Sequence, residues 1–184
     1  MSHVTDKPEQ VLDFWFREVD PKSWWAVDPA FDEMLRQRMA GLHSQAALGE
    51  LYGWRTTPAG RLAEVIVLDQ FSRNLFRGQA LAYSFDTAAL VLAQEAVALA
   101  ADQDLPPKQR SFFYMPYMHS ESRLIHLQAE ALFGANDEAD NLSFELRHKA
   151  IVDRFGRYPH RNAVLGREST AAELDFLQQP GSSF

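Results

Sequence analysis

Asp69, Gln70, Arg73, Asn74 and Arg77 occupy the last two turns of a segment whose first turns, with Leu62, Val65, Ile66, Val67 and Leu68, are apolar nearly all round. A helix apolar on every side is buried. At about 100° per residue, Asp69 and Arg73 fall on the same side as Leu62 and Ile66, so the polar cluster continues a buried stripe. Two chemistries fit. A carboxylate and a guanidinium at i, i+4 form an ordinary helical ion pair, and arginines late in a helix suit its dipole. The same groups, if sheltered, form the wall of a site that holds an anion and moves a proton.

Three other places break an apolar pattern. Glu121 precedes Leu124, Ile125, Gln128 and Leu132 at helical spacing, which puts it on their face and leaves His119, Arg123, His126 and Glu130 on the opposite, wet face. A carboxylate on an apolar face needs a partner, unless it caps first-turn amides. His148 sits among Phe144, Ile151, Val152 and Phe155. It is either a core histidine bonded to a backbone carbonyl or half of a Glu–His pair tuned for general base work. The run Arg157-Tyr158-Pro159-His160-Arg161-Asn162 is irregular, and from Glu145 to Glu168 six Lys or Arg stand against three acids. Such a loop grips carboxylate or phosphate with guanidinium forks, or it only offsets an acidic remainder. Acid–base roles are therefore assigned to Asp69, Glu121 and His148. Ligand binding is assigned to Gln70, Arg73, Asn74, Arg77, His119, Arg157, His160, Arg161 and Asn162.

Helices must position these groups. Asp6-Lys7-Pro8-Glu9 and Asp28-Pro29 read as helix starts, with an aspartate cap and a proline in the first turn. A third helix runs from about Arg61 to Arg77 and stops at Gly78, and a fourth runs from Ser84 or Asp86 to Ala101. Pro106-Pro107 opens a fifth segment that Pro116 must break or kink. Further helices are expected from about Ser120 to Gly134 and from Asn141 to Phe155, the latter closed by Gly156. Thr170-Ala171-Ala172-Glu173 is a capping box for a last short one. No segment alternates like a strand. The expected fold is all-α, about seven helices in antiparallel hairpins within a single domain spanning residues 1–184.

Composition narrows the function. The 184 residues are 46% hydrophobic with 13 Phe and four Trp, enough for a sizeable core. A net charge of −7 argues against a nucleic-acid partner. With no cysteine, disulfides, thiolate metal sites and cysteine nucleophiles are excluded. The longest apolar stretch, Ala88 to Ala101, is interrupted by Gln94 and Glu95 and too short to span a bilayer, so a cytoplasmic protein without a membrane partner is expected. The chain lacks a serine elbow and the glycine-rich loops that cradle phosphates, and no cofactor is assigned. His119-Ser120-Glu121 is spaced i, i+2, which does not share a helix face, and no metal is assigned.

Several motifs resemble a family. Asp69-Gln70-Phe71-Ser72-Arg73-Asn74-Leu75-Phe76-Arg77-Gly78, Met115-Pro116-Tyr117-Met118-His119-Ser120-Glu121 and Arg154-Phe155-Gly156-Arg157-Tyr158-Pro159-His160-Arg161-Asn162 are similar to signatures of the bacterial domain of unknown function 924. Leu12-Asp13-Phe14-Trp15-Phe16, Trp24-Trp25 and Leu165-Gly166-Arg167-Glu168-Ser169-Thr170 match it as well. The resemblance implies an all-helical, tetratricopeptide-like array and no particular activity.

Three readings stay open. The polar residues converge on a pocket for a small anionic molecule, with acid–base chemistry on Glu121, His148 and Asp69. They line a groove for a peptide, with Trp24-Trp25 and Phe112-Phe113 along it. Or they form a structural network without a ligand.

Overall fold

The structure is a computed structural model that describes residues 7–184, apart from the side chain of residue 139. Every regular element among the described residues is helical. Helix α1 (Pro8–Asp13) continues into a π-helical turn, Phe14–Glu18. A 3₁₀ turn leads to α2 (Pro29–Ala47), where the Asp28 side chain accepts from the Ala30 and Phe31 amides. The proposed Asp6 cap lies outside the described residues. Helix α3 is built of Pro58–Ile66, a π turn Val67–Phe71, and Ser72–Leu75. A 3₁₀ turn (Ala80–Tyr83) precedes α4 (Asp86–Ala98). Then follow α5 (Pro107–Met118), α6 (Arg123–Ala135) and α7 (Ala139–Phe155). A 3₁₀ turn at Pro159–Arg161 and α8 (Ala171–Leu177) complete the chain.

Local chemistry sets several boundaries. Gly156 closes α7 with φ 73°, a left-handed conformation that glycine adopts without a Cβ penalty. Thr170 and Glu173 form both halves of the capping box on α8. Gly60, in the first turn of α3, is required for space: a Cβ there would lie 2.0 Å from the Trp54 carbonyl oxygen. Pro116 does not break α5. It sits in the last turn, where the missing N–H costs one bond, and the helix ends two residues later at Met118.

Helix α3 is the axis of the core. It packs on α1, α2, α4 and α5, and Leu62, Val65, Ile66, Val67 and Phe71 are fully buried. Trp15 from α1 anchors an aromatic cluster with Trp24, Phe31, Phe71 and Phe112. Phe112 and Phe113 are core residues, not groove walls. Helices α5, α6 and α7 pack in succession, each against the next, joined by short connections. Among the described residues no helix is long and apolar enough to cross a membrane.

One face of α6 differs from expectation. His126 is completely buried, while Leu124 is 66% exposed. The expectation counted helical phase from Glu121. The helix begins at Arg123, with Ser122 at its cap, and His119 belongs to the end of α5. Within α6 the inward side is His126, Ala129 and Phe133, and the His126 ring is admitted there because Glu145 and the Ser120 carbonyl engage both its nitrogens.

Candidate functional site

The π turn in α3 carries Asp69, and π turns occur often at functional sites. Asp69 is 0% exposed. Its Oδ1 lies 2.7 Å from His119 Nδ1, at the end of α5, and 3.2 Å from Arg73 Nη1. Its Oδ2 accepts from Gln70 Nε2 at 2.7 Å, and its backbone carbonyl accepts from Arg73 Nη1 at 2.9 Å. Arg73 then forks onto Asp86, with Nη1 3.0 Å from Oδ1 and Nη2 3.1 Å from Oδ2. Asp86 is the first residue of α4, where a carboxylate is favoured by the helix dipole. Arg161, from the loop after α7, adds Nη1 at 3.3 Å from Asp86 Oδ2. Its guanidinium carbon lies 4.5 Å from the Tyr83 ring centroid and 4.6 Å from that of Tyr158.

Of these groups, Tyr83, Asp86, His119 and Arg161 border a cavity of about 330 Å³, and Asp69 and Arg73 stand behind them. One wall is the 3₁₀ turn with Tyr83 and the start of α4 with Asp86. The rest of the lining includes His119, Ser120 and Glu121 after α5 and Arg161 and Leu165 from the loop after α7. The volume sits at the small end of the roughly 300–1,000 Å³ typical of small-molecule sites.

An ionised carboxylate only accepts hydrogen bonds, so Asp69 fixes the His119 proton on Nδ1. In the neutral ring Nε2 then carries the lone pair, and among the described residues it has no protein partner. Burial pushes the His119 pKa down and Arg73 adds to that, while Asp69 pulls it partly back; the result lies below the ordinary 6.5. Burial alone would raise the Asp69 carboxyl, but the Arg73 charge and the His119 hydrogen bond hold it below the usual range. The pair at neutral pH is therefore a carboxylate and an uncharged imidazole, the arrangement that orients a general base.

Glu121 flanks the cavity and is half-buried. It accepts from Arg167 Nη1 at 2.6 Å, from Arg167 Nη2 at 2.9 Å and from the Tyr158 amide at 2.8 Å. Burial raises its pKa, and the Arg167 and Tyr158 hydrogen bonds outweigh that, leaving it lowered and the group ionised. It ties the loop to the end of α5 and is not poised as a proton donor. Glu121→Leu is expected to cost roughly 2 kcal/mol, because it removes both charge-assisted bonds of the Arg167 fork and leaves the Tyr158 amide unpaired. Urea denaturation checks this; a loss under about 1 kcal/mol would show that the fork carries little.

A second buried network lies behind His119. His126 Nε2 donates to the Ser120 carbonyl at 2.8 Å, and the Tyr158 hydroxyl donates to the Met118 carbonyl. His126 Nδ1 meets Glu145 Oε1 at 2.7 Å. The two clamped carbonyls flank His119 in the chain, so this network fixes the backbone that presents the imidazole.

Residues 11–181 match the family described as bacterial protein of unknown function DUF924. The chain belongs to the DUF924 family. A solved structure of the protein of unknown function ATU0120 from Agrobacterium tumefaciens is similar, at 37% identity and a TM-score of 0.88, over 93% of this chain and 96% of its own. No curated protein matches the chain.

Among the DUF924 motifs, the first and second supply the Asp69–His119 pair with Arg73 and Gln70, and the third supplies Arg161. The other expected residues lie elsewhere. Asn74 Nδ2 and the Arg77 fork bind Asp32 of α2, at 2.9 Å, 2.6 Å and 2.9 Å, and hold α3 to α2. Arg157 forks onto Glu173 and braces α8. Asn162 bonds Ser169 and Arg167 within its loop. His148 Nδ1 donates to the Phe144 carbonyl at 2.7 Å, and its ring lies against Phe184 and Tyr158. It is a core histidine, and no Glu121–His148 pair forms. His160 also packs on Phe184 and Tyr158, with Nδ1 enclosed and unpartnered. Asp86, Tyr83 and Arg167 were not expected at the site. Asp86 reads in sequence as a plain helix start, and Arg167 as one more basic loop residue. Among the described residues, no three His, Asp or Glu side chains are grouped to hold a metal ion.

Proposed function

We propose that this chain binds a small anionic molecule in the cavity between α4, the end of α5 and the loop after α7, and that His119 acts on it as a general base. Asp69 would orient the ring and stabilise the imidazolium that forms when Nε2 takes a proton. Arg161 would hold the anion. One observation carries the reading: a buried carboxylate fixes one nitrogen of a cavity-lining imidazole and leaves the other free.

Two features favour a ligand over a purely structural network. A structural network saturates its polar groups, whereas His119, which lines the cavity, makes no hydrogen bond through Nε2 among the described residues. The cavity size favours a metabolite over several extended peptide residues. A thermal-shift panel of small carboxylates and phosphates tests the proposal. A ligand at about 100 times its Kd should add about 2.7 kcal/mol of stability. The gain should shrink in His119→Gln, which keeps most of the side-chain volume but lacks the imidazole base. A panel with no stabilising compound, or hits indifferent to His119, would discard the proposal.

A further inference from the structure

We infer that the ligand is a singly charged carboxylate bearing a protic group, its carboxylate on Nη2 of Arg161 and its O–H or N–H on His119 Nε2. This rests on the preceding reading of the cavity and narrows it to a chemical class.

Arg161 is the under-used cation of the cluster. It is only 4% exposed. A guanidinium offers five N–H donors, yet among the described residues Arg161 makes one hydrogen bond, through Nη1 to Asp86 at 3.3 Å. Arg77 and Arg157 spend Nε and Nη2 on Asp32 and Glu173, whereas in Arg161 Nε is enclosed and Nη2 has no protein partner among the described residues. Tyr83 and Tyr158 cover the guanidinium, so what remains is the in-plane edge. With Nε closed off, Nη2 is the in-plane donor left for one anionic oxygen. Burial and the nearby Arg73 lower the Arg161 pKa despite Asp86, as expected for a buried cation short of an anion.

Charge sets the valence. Arg73, Arg161 and Arg167 face Asp69, Asp86 and Glu121, with His119 neutral at pH 7. Three positive groups thus meet three negative ones before any ligand enters. A monoanion adds a single charge beside the unpaired Nη2 of Arg161. A phosphate carries close to two charges at neutral pH, and it would set the second near Asp86 and Glu121, which line the same cavity. The protic group follows from His119, whose open nitrogen is an acceptor.

The test is a titration of the full chain, labelled with ¹⁵N-histidine, with glycolate, acetate and inorganic phosphate at neutral pH. Glycolate should move the His119 Nε2 resonance and bind about tenfold more tightly than acetate, which lacks the hydroxyl, and than phosphate. Arg161→Gln should abolish the glycolate response. If that variant fails to fold, the three-probe comparison on the unaltered protein still decides. Phosphate binding as tightly as glycolate would overturn the carboxylate class while leaving His119 as the base. No response to any of the three would also overturn the class, and the base reading would then stand or fall on the thermal-shift panel. Glycolate binding that persists in a folded Arg161→Gln would remove the assigned anion contact.

Discussion

Asp69→Ala is expected to destabilise the fold by about 3–5 kcal/mol, the range for removing one partner from a buried ion pair. The carboxylate is fully buried and accepts from His119, Gln70 and Arg73. Removing it leaves the His119 Nδ1–H and the Gln70 amide unpaired. It also leaves Arg73 balanced by Asp86 alone. Asp69→Asn separates charge from shape: its amide oxygen still receives Nδ1–H and faces Arg73, while its NH₂ meets the Gln70 donor. It should cost less than alanine, about 1–3 kcal/mol. Urea denaturation at neutral pH measures both. If Asp69→Ala stays within about 1 kcal/mol of the parent, the carboxylate is not what holds α3 to the end of α5. The ¹⁵N-histidine spectrum adds a readout that stability lacks, since the His119 proton should leave its fixed place on Nδ1 in Asp69→Ala.

What the chain revealed in advance follows physical range. Caps and glycine stops are local, so Asp28-Pro29, Gly156 and the Thr170–Glu173 box were legible from neighbours in sequence. The interrupted stripe at Asp69 and Arg73 was legible because a helix apolar all round admits a carboxylate only with a partner. The identity of that partner was not. His119 is fifty positions away, and its orientation depends on where α5 ends. Glu121 shows the same limit: its need for a cation is visible in sequence, but Arg167 reaches it only once the loop after α7 folds back. Asn74 and Arg77 looked like members of the cluster because they share its turns. They turn instead to Asp32, which reads as an ordinary first-turn acid of α2. The arginines therefore divide by which carboxylate each has already claimed, and only a tertiary structure reveals that division.

Those claimed pairs also make the fold sensitive to acid through its histidines. Burial pushes His43 and His160 down to about 4 and His148 to about 3. Each is held in its uncharged form: His43 Nε2 lies 2.7 Å from the Ser72 hydroxyl, His148 Nδ1 is on the Phe144 carbonyl, and His160 packs against Phe184. The unfolded chain protonates its histidines near pH 6.5, so below that value it binds protons the folded chain refuses, and stability falls as pH falls. Between about pH 7.5 and about pH 5.5 each such histidine removes about 1.4 kcal/mol, or about 4 kcal/mol for three. Glu145 acts in the opposite sense, since burial raises its pKa and the folded state keeps its proton to higher pH. His119, also held below its ordinary value, adds to the histidine loss while Glu145 offsets part of it, so a net fall in stability on acidification is expected. The lowered carboxylates Asp32, Asp69 and Glu121 do not enter this window; their contribution is present above the unfolded carboxylate pKa and is lost only as pH falls further, through their folded values. Denaturation at successive pH values reads the slope directly, and His160→Gln should recover about 1.4 kcal/mol of the loss. A stability that stays level across the window would mean the three imidazoles accept protons without leaving their places, and the packing around Phe184 and Ser72 would then have to be open to water.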